Sequence, residues 1–342
     1  MLNTQTPRFC PKKDCKCYQK LDNKITKDGT YTVESSKERR QMYYCHGGKH
    51  RFSEMAYTEL LGKHGSVKEY EQTAKLITYG LSIEQIADTL GKDPRTIQEW
   101  VKGIATKSQN FHEYVCQTVG IILLFIQMDE LWSYVKNKKR QLWVFIAMEA
   151  KTKFWINFEA GSRTNHTANR LVERLKSLMG EKYNQILRIT TDKLAAYKNA
   201  LEKQLTEMNY SYLQIVKRRV KRKLKTVSKF LVKGSESDFP AGTQNTSYVE
   251  RLNLSLRQRI SYLQRKTIGY CKKKIHAAQM LWINLVDYNY CQFHKSLRID
   301  ITGKKEKFKK RYQHITPAMK IGLTTSQLNW RYLLFVPILK SS

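Results

Sequence analysis

The chain has 342 residues, room for two or three domains, and 41% of them are hydrophobic, which excludes wholesale disorder. Lys and Arg outnumber Asp and Glu by 62 to 29, a formal net charge of +33. So large an excess costs self-repulsion in a folded chain and suits a polyanionic partner, because each neutralised phosphate releases counterions. The longest apolar run, Val119 to Ile126, is far too short to cross a bilayer. The first residues are polar and Cys-containing, unlike a signal peptide. The expectation is a cytoplasmic, nucleoid-associated protein whose partner is double-stranded DNA.

Residues 1–65 are polar and Lys-rich, and hold four of the seven cysteines. A local cluster suits a metal better than a disulfide framework. Cys10 and Cys15 form one spaced pair and Cys45 and His50 another, so the segment reads as a zinc-binding knuckle with a structural Zn²⁺. Cys17 and His46 are further candidates, and the sequence does not choose among the six.

Residues 66–104 show helical periodicity without strand signals. SIEQIADTLGKDPRTIQEWVKG reads as a helix-turn-helix. Gly91 supplies the positive φ of the turn, and Asp93 caps the second helix with Pro94 at its first position. Ile97, Trp100 and Val101 then face inward, leaving Arg95, Thr96, Gln98 and Lys102 toward a DNA groove. Residues 105–118 read as a connector.

From 119 to 300 the pattern is a mixed α/β domain. Phe125 to Val135, Leu142 to Ala150 and Phe154 to Ala160 read as three successive strands. Asn165 to Met179 is an amphipathic helix, Ile186 to Thr191 a short buried strand, Leu194 to Leu205 a helix, and Tyr212 to Val216 a fifth strand. KRRVKRKLK, Lys217 to Lys225, puts seven basic residues in nine positions and reads either as a DNA clamp or as a solvated loop. Residues 301–342 read as a basic C-terminal tail.

NTSYVERLNLSLRQRI reads as a helix with Glu250, Asn253 and Arg257 on one face. Asp129 and Asp192 each follow a short apolar strand. Two strand-borne Asp residues and a helix-borne Glu are the parts of a two-metal phosphoryl-transfer site, in the order of an RNase H-like fold. Hard Mg²⁺, or Mn²⁺, prefers such oxygen ligands. Strand alternation predicts that Glu130 leaves the opposite face from Asp129 and is no ligand beside it. His294, in YNYCQFHKSLR, is a packing or site-adjacent residue.

MDELW (Met128–Trp132), TTDKLAAY (Thr190–Tyr197) and NTSYVERLNLSLRQRISYLQRKTIGY (Asn245–Tyr270) resemble the three catalytic blocks of the DDE transposases of the insertion sequence 1 family. The resemblance covers about residues 9 to 295. It implies an RNase H-like catalytic domain behind a zinc-knuckle-like segment and an all-α helix-turn-helix. It also implies a metal-bound triad of Asp129, Asp192 and Glu250, with Arg257 against a phosphate. Lys217, Arg218, Arg219, Arg265 and Lys266 become DNA contacts, with Tyr262, Arg265 and Lys266 continuing the catalytic helix. The implied function is binding of transposon-end inverted repeats, then metal-dependent cleavage and strand transfer by a homodimer or higher oligomer. The rival readings are a DNA-binding regulator with an inactive RNase H-like domain, or a DDE integrase or transposase of another family. Lys193-Leu194 replaces the Gly-Trp common after the second Asp in that family.

Overall fold

A computed structural model of the chain describes residues 9–20, 24–34, 36–179, 183–221, 223–266, 269–301 and 311–338. The N-terminal segment builds an antiparallel sheet from β1 (Ile25–Val33), β2 (Glu38–Cys45) and β3 (His50–Ser53), in that order. The tight β2–β3 turn sets Cys45 directly opposite His50. Stacked Tyr43 and Phe52, with Tyr57 edge-on to both, supply the small apolar contact that so polar a segment allows.

Three helices follow, each started by the cap its sequence offers. Ser66 and Glu69 close a capping box on α1 (Val67–Thr78), and Ser82 and Gln85 do so on α2 (Ile83–Leu90). Gly91 ends α2 at φ 60°, and Asp93 accepts from the Arg95 N–H with Pro94 as the first residue of α3 (Pro94–Val119). Ile86, Ala87, Ile97, Trp100 and Val101 are buried between these helices.

The segment expected as a connector, 105–118, is instead the second half of α3. Phe111, His112, Val115 and Cys116 are buried along it, and His112 Nε2 meets the Ile156 carbonyl at 2.7 Å. Burial pulls His112 down to about 4, so the imidazole is neutral in this packing. One helix of 26 residues, about 39 Å long, therefore runs from the helix pair into the core of the α/β part.

That part is a six-stranded mixed sheet in the order β6-β5-β4-β7-β8-β9. β4 (Phe125–Val135), β5 (Asn137–Glu149) and β6 (Phe154–Gly161) form an antiparallel meander. α4 (Asn165–Met179) carries the chain over to β7 (Leu187–Thr191), which lies parallel to β4. α5 (Ala195–Gln204) leads to β8 (Tyr210–Val220), parallel to β7. Parallel neighbours require such crossovers, and helices supply them. The basic stretch, read as a DNA clamp or a solvated loop, is the far end of β8 and the start of β9 (Lys223–Lys233), a hairpin exposed over nearly all of β9.

α6 (Ser247–Arg259) and α7 (Lys274–Val286) complete the domain. Among the described residues of the C-terminal stretch, α8 (Pro317–Lys320) and α9 (Trp330–Phe335) fold back, and Trp330, Leu333 and Leu334 join the main core. A basic tail hanging free is therefore not what the described part shows. The Lys-rich run at 302–310 lies outside the described residues. Asn289, fully buried after α7, exchanges both backbone hydrogen bonds of Trp155 on the edge strand β6, at 2.9 and 2.8 Å. Asn289→Ala should lower the unfolding free energy by about 2 kcal/mol by orphaning that N–H and carbonyl. A shifted urea midpoint at unchanged slope checks it.

Candidate active site and metal centre

β4 and β7 pair only as far as Gln127 and Thr190, then separate. Asp129 and Asp192 lie just beyond that point, where the notch between two parallel strands lets short side chains converge. One carboxylate oxygen each from Asp129, Glu130 and Asp192 comes within 4.8 Å of the other two. Glu130 thus departs from expectation. Its strand position does aim it at the α4–α5 face, where it accepts from Arg163 at 2.5 Å and from the Tyr197 hydroxyl at 3.3 Å. With no neighbour strand filling the notch, its longer side chain still reaches the same space.

The carboxyls repel one another and are short of water. Burial, then Glu130, Asp192 and Glu250, push Asp129 up to about 7. Asp192 is raised by burial, partly opposed by the Leu194 N–H it accepts at 3.0 Å. Glu130 is raised by burial and by Asp192, with Arg163 pulling the other way. Crowded carboxylate oxygens in a half-buried notch could hold a hard cation, and every donor is of the class that Mg²⁺ or Mn²⁺ takes.

α6 is held against this notch by a residue the sequence reading passed over. Gln127, 1% exposed, accepts the N–H groups of Tyr248 and Val249 at 3.0 and 3.2 Å, and donates to Asn245. Its signal was a lone amide in an apolar strand, two positions before Asp129 and on the same face. Asn253 then donates to Asp129 Oδ2 at 2.7 Å, while its own carbonyl oxygen is buried without a hydrogen-bond partner.

Glu250 starts the same helix and raises both aspartates, but its carboxylate is outside the converging group. It is paired with Lys217 of β8, and Thr246 Oγ1 donates to it at 2.5 Å. Lys217 therefore faces a carboxylate, not solvent. Arg257 donates to the Leu263 carbonyl at 2.7 Å, and burial followed by Arg265 brings it down to about 10 while Asp129 holds it up.

α6 ends at Arg259, so Tyr262, Arg265 and Lys266 do not continue it. A 3-10 turn, Ser261–Leu263, intervenes, and Arg265 and Lys266 are exposed beyond it. Arg218 is exposed on the hairpin, and the side chain of Arg219 is outside the described set. His294 lies edge-on to Tyr288 at 4.3 Å with Nε2 toward the Tyr288 carbonyl, a packing role apart from the carboxylates.

On α3, Arg95 and Lys102 are exposed and Thr96 is half-buried. Gln98 donates to Gln279 of α7 at 3.1 Å. The faces of α2 and α3 border a groove of about 920 Å³, with Tyr262, Tyr270 and His276 on its other wall.

A second cluster stands in the N-terminal sheet. The ligand atoms of Cys10, Cys15, Cys45 and His50 lie within 4.8 Å of one another, with Cys10 Sγ 3.2 Å from His50 Nε2 and Cys15 Sγ 3.5 Å from Cys45 Sγ. Edges of that length fit a tetrahedron with bonds of about 2.0–2.3 Å. The N–H groups of Cys17 and Gly48 point at Cys15 and Cys45 sulfur, each at 3.4 Å. Gly48 has no substitute here, since a Cβ would sit 2.6 Å from Cys15 Sγ. Burial pushes Cys10 up to about 12, whereas the Cys17 N–H lowers Cys15. His46 turns away to Thr26 at 3.1 Å, and Cys17 is buried beside the four without joining them. Among the described residues no helix is long and apolar enough to cross a membrane.

Residues 122–238 match the family model described as IS1 transposase, a span that contains Asp129, Asp192 and Lys217 and stops short of Glu250. The InsB proteins of insertion element IS1 from Escherichia coli K12 and Haemophilus ducreyi are each 27% identical over 151 residues, 44% of this chain and 67% of theirs. A crystal structure of the Mos1 strand transfer complex aligns with 68% of this chain and 81% of its own, at 11% identity and a TM-score of 0.22, too remote to place any residue. The matched span contains the first two of the three blocks read from the sequence, and over it the chain is similar to the IS1 transposases.

Proposed function

We propose that the chain is a DDE transposase that binds the ends of its element and catalyses metal-dependent cleavage and strand transfer. The observation that carries this is the convergence of Asp129 and Asp192 at the parting of two parallel strands, with α6 holding Glu250 beside them. A meander of three antiparallel strands extended by two parallel ones is the RNase H-like order, and supports the same reading. Asp129, Asp192 and Glu250 would hold Mg²⁺ or Mn²⁺, with Glu130 in reach. Such ions supply Lewis-acid stabilisation of the attacking and leaving oxygens. This chain's own groups do the rest. Asn253 orients Asp129, Gln127 fixes the approach of α6, and Arg257 offers its planar fork to a phosphate. Arg218, Arg265 and Lys266 are exposed and would contact bound DNA, and the sequence reading adds Arg219 to them.

Cys10, Cys15, Cys45 and His50 would hold one structural Zn²⁺, whose tetrahedral preference matches this donor set. The α2–α3 pair reads the end sequence as a helix-turn-helix, and two chains are needed to join two ends. The test is an assay with labelled element ends and target DNA, in which joined product should require the protein and Mg²⁺ or Mn²⁺. Absence of cleaved and joined product with the element's own ends would overturn the proposal.

Arg95→Ala and Lys102→Ala test the reading face. Arg95 stands at the N-terminus of α3, where base edges are reached, and Lys102 two turns further on. Arg95→Ala should weaken end binding by about tenfold with little change on random DNA, and Lys102→Ala should weaken both alike. Competition titrations at fixed salt measure the difference.

A further inference from the structure

Among the described residues of the basic stretch, Lys217 turns inward. β8 is buried through Ile215, half-buried at Val216 and Lys217, and exposed at Arg218 and Val220. At that last anchored position the Lys217 ammonium meets Glu250 Oε1 and donates to Thr246 Oγ1 at 3.1 Å, and Thr246 donates to the same Glu250 oxygen at 2.5 Å. The three side chains close a ring between β8 and the start of α6. Thr246 is 4% exposed and anchors the ring, whose Lys217 and Glu250 side chains are 23% and 36% exposed at the rim of the notch. The oxygen it occupies belongs to the carboxylate that the proposed metal site still lacks to complete its triad.

We propose that Lys217 is a tethered counter-ion of this site, competing with a divalent cation for Glu250. The inference rests on the metal-site reading of Asp129, Asp192 and Glu250. An ammonium and a divalent cation cannot share one carboxylate oxygen at contact without strong like-charge repulsion. A cation bound at Oε1 must displace Lys217, and one bound at the other oxygen still meets its charge across the carboxylate. The released ammonium lies at the root of the exposed β8–β9 hairpin, on the side of α6, where a phosphate is its natural next partner. Neutralising Glu250 between turnovers also keeps a fourth negative charge from adding fully to the repulsion among Asp129, Glu130 and Asp192.

The experiment is Mn²⁺ binding to the full-length chain without DNA, read as free Mn²⁺ by electron paramagnetic resonance. Wild type, Lys217→Met, Lys217→Arg and Asp192→Asn are compared, with circular dichroism melts to verify folding. Lys217→Met keeps length and removes the charge, and should bind the weaker Mn²⁺ about fivefold more tightly, while Lys217→Arg stays within about twofold of wild type. Equal Mn²⁺ affinity in wild type and folded Lys217→Met would overturn the counter-ion role. Tighter binding by Lys217→Arg as well would also overturn it, marking the side chain's shape and not its charge as the obstacle. Failure of the underlying reading looks different: wild type and Asp192→Asn would then bind Mn²⁺ equally weakly.

Discussion

Asp129→Ala, Asp192→Ala and Glu250→Ala should each reduce cleavage and joining by three orders of magnitude or more, roughly the several kcal/mol that a well-held metal pair contributes to a phosphoryl-transfer transition state. Binding to element ends should stay within about threefold, because the proposed reading face lies on α3. Glu130→Ala is the informative fourth variant. Its oxygen is among the converging three, but Arg163 and Tyr197 already hold it, so a loss of about ten- to a hundredfold is expected. Full activity of Asp129→Ala or Asp192→Ala in the same assay would remove the site.

The pH dependence carries a sign that can be checked. Asp129 is raised to about 7 in the folded chain, against 3.8 for an ordinary Asp. Between these values the folded state holds a proton that the unfolded state has lost, so without a cation this group's contribution falls as pH rises from about 4 to 7. A bound divalent cation needs the deprotonated form. The thermal shift produced by Mn²⁺ should therefore be small at pH 5.5 and grow until about pH 7.5, then level off. A shift independent of pH would mean that Asp129 takes no part in binding.

The other large effect concerns the N-terminal sheet. Cys45→Ser, or chelation of wild type, should unfold the segment up to β3 while the α/β part remains folded. A sheet of three short strands with so few buried apolar residues has little else to hold it, and structural zinc contributes about 10 kcal/mol or more in comparable small modules. Purified reduced protein should carry about one zinc per chain. Limited proteolysis should then release a fragment beginning near Met55, and only when the metal is removed. Intact protection of residues 25–53 after complete chelation would show that the sheet stands without it.

Much of this was legible in the sequence where the signal is local. Phe125–Val135 and Asn165–Met179 are found with the bounds read from alternation and periodicity, and the Gly91, Asp93 and Pro94 turn follows from backbone chemistry alone. What escaped depends on partners far along the chain. SQNFHEYVCQ looks polar enough for a connector because His112 finds its acceptor 44 residues away, at Ile156. The β8–β9 hairpin hid because β9 is exposed on both faces, so no burial pattern marks it. Lys217 was indistinguishable from its basic neighbours until α6 brought Glu250 to it. Glu130 misled because alternation fixes the face a side chain leaves from, not how far it reaches once the neighbouring strand has turned away.

The continuity of α3 has a mechanical consequence. A straight helix resists bending over a few turns, and its second half is locked into the core by Phe111, His112 and Val115. The N-terminal half, which carries the proposed reading face, therefore cannot swing on a loose tether. If α3 reads the element end and the carboxylates cut it, the protein is a ruler: the distance from the bases read to the bond cut is set by the length of one helix. Inserting three or four residues into α3 near Thr106 would turn and shift its reading end, moving the cut along the DNA or losing it altogether, even with every contact at both ends unchanged in kind.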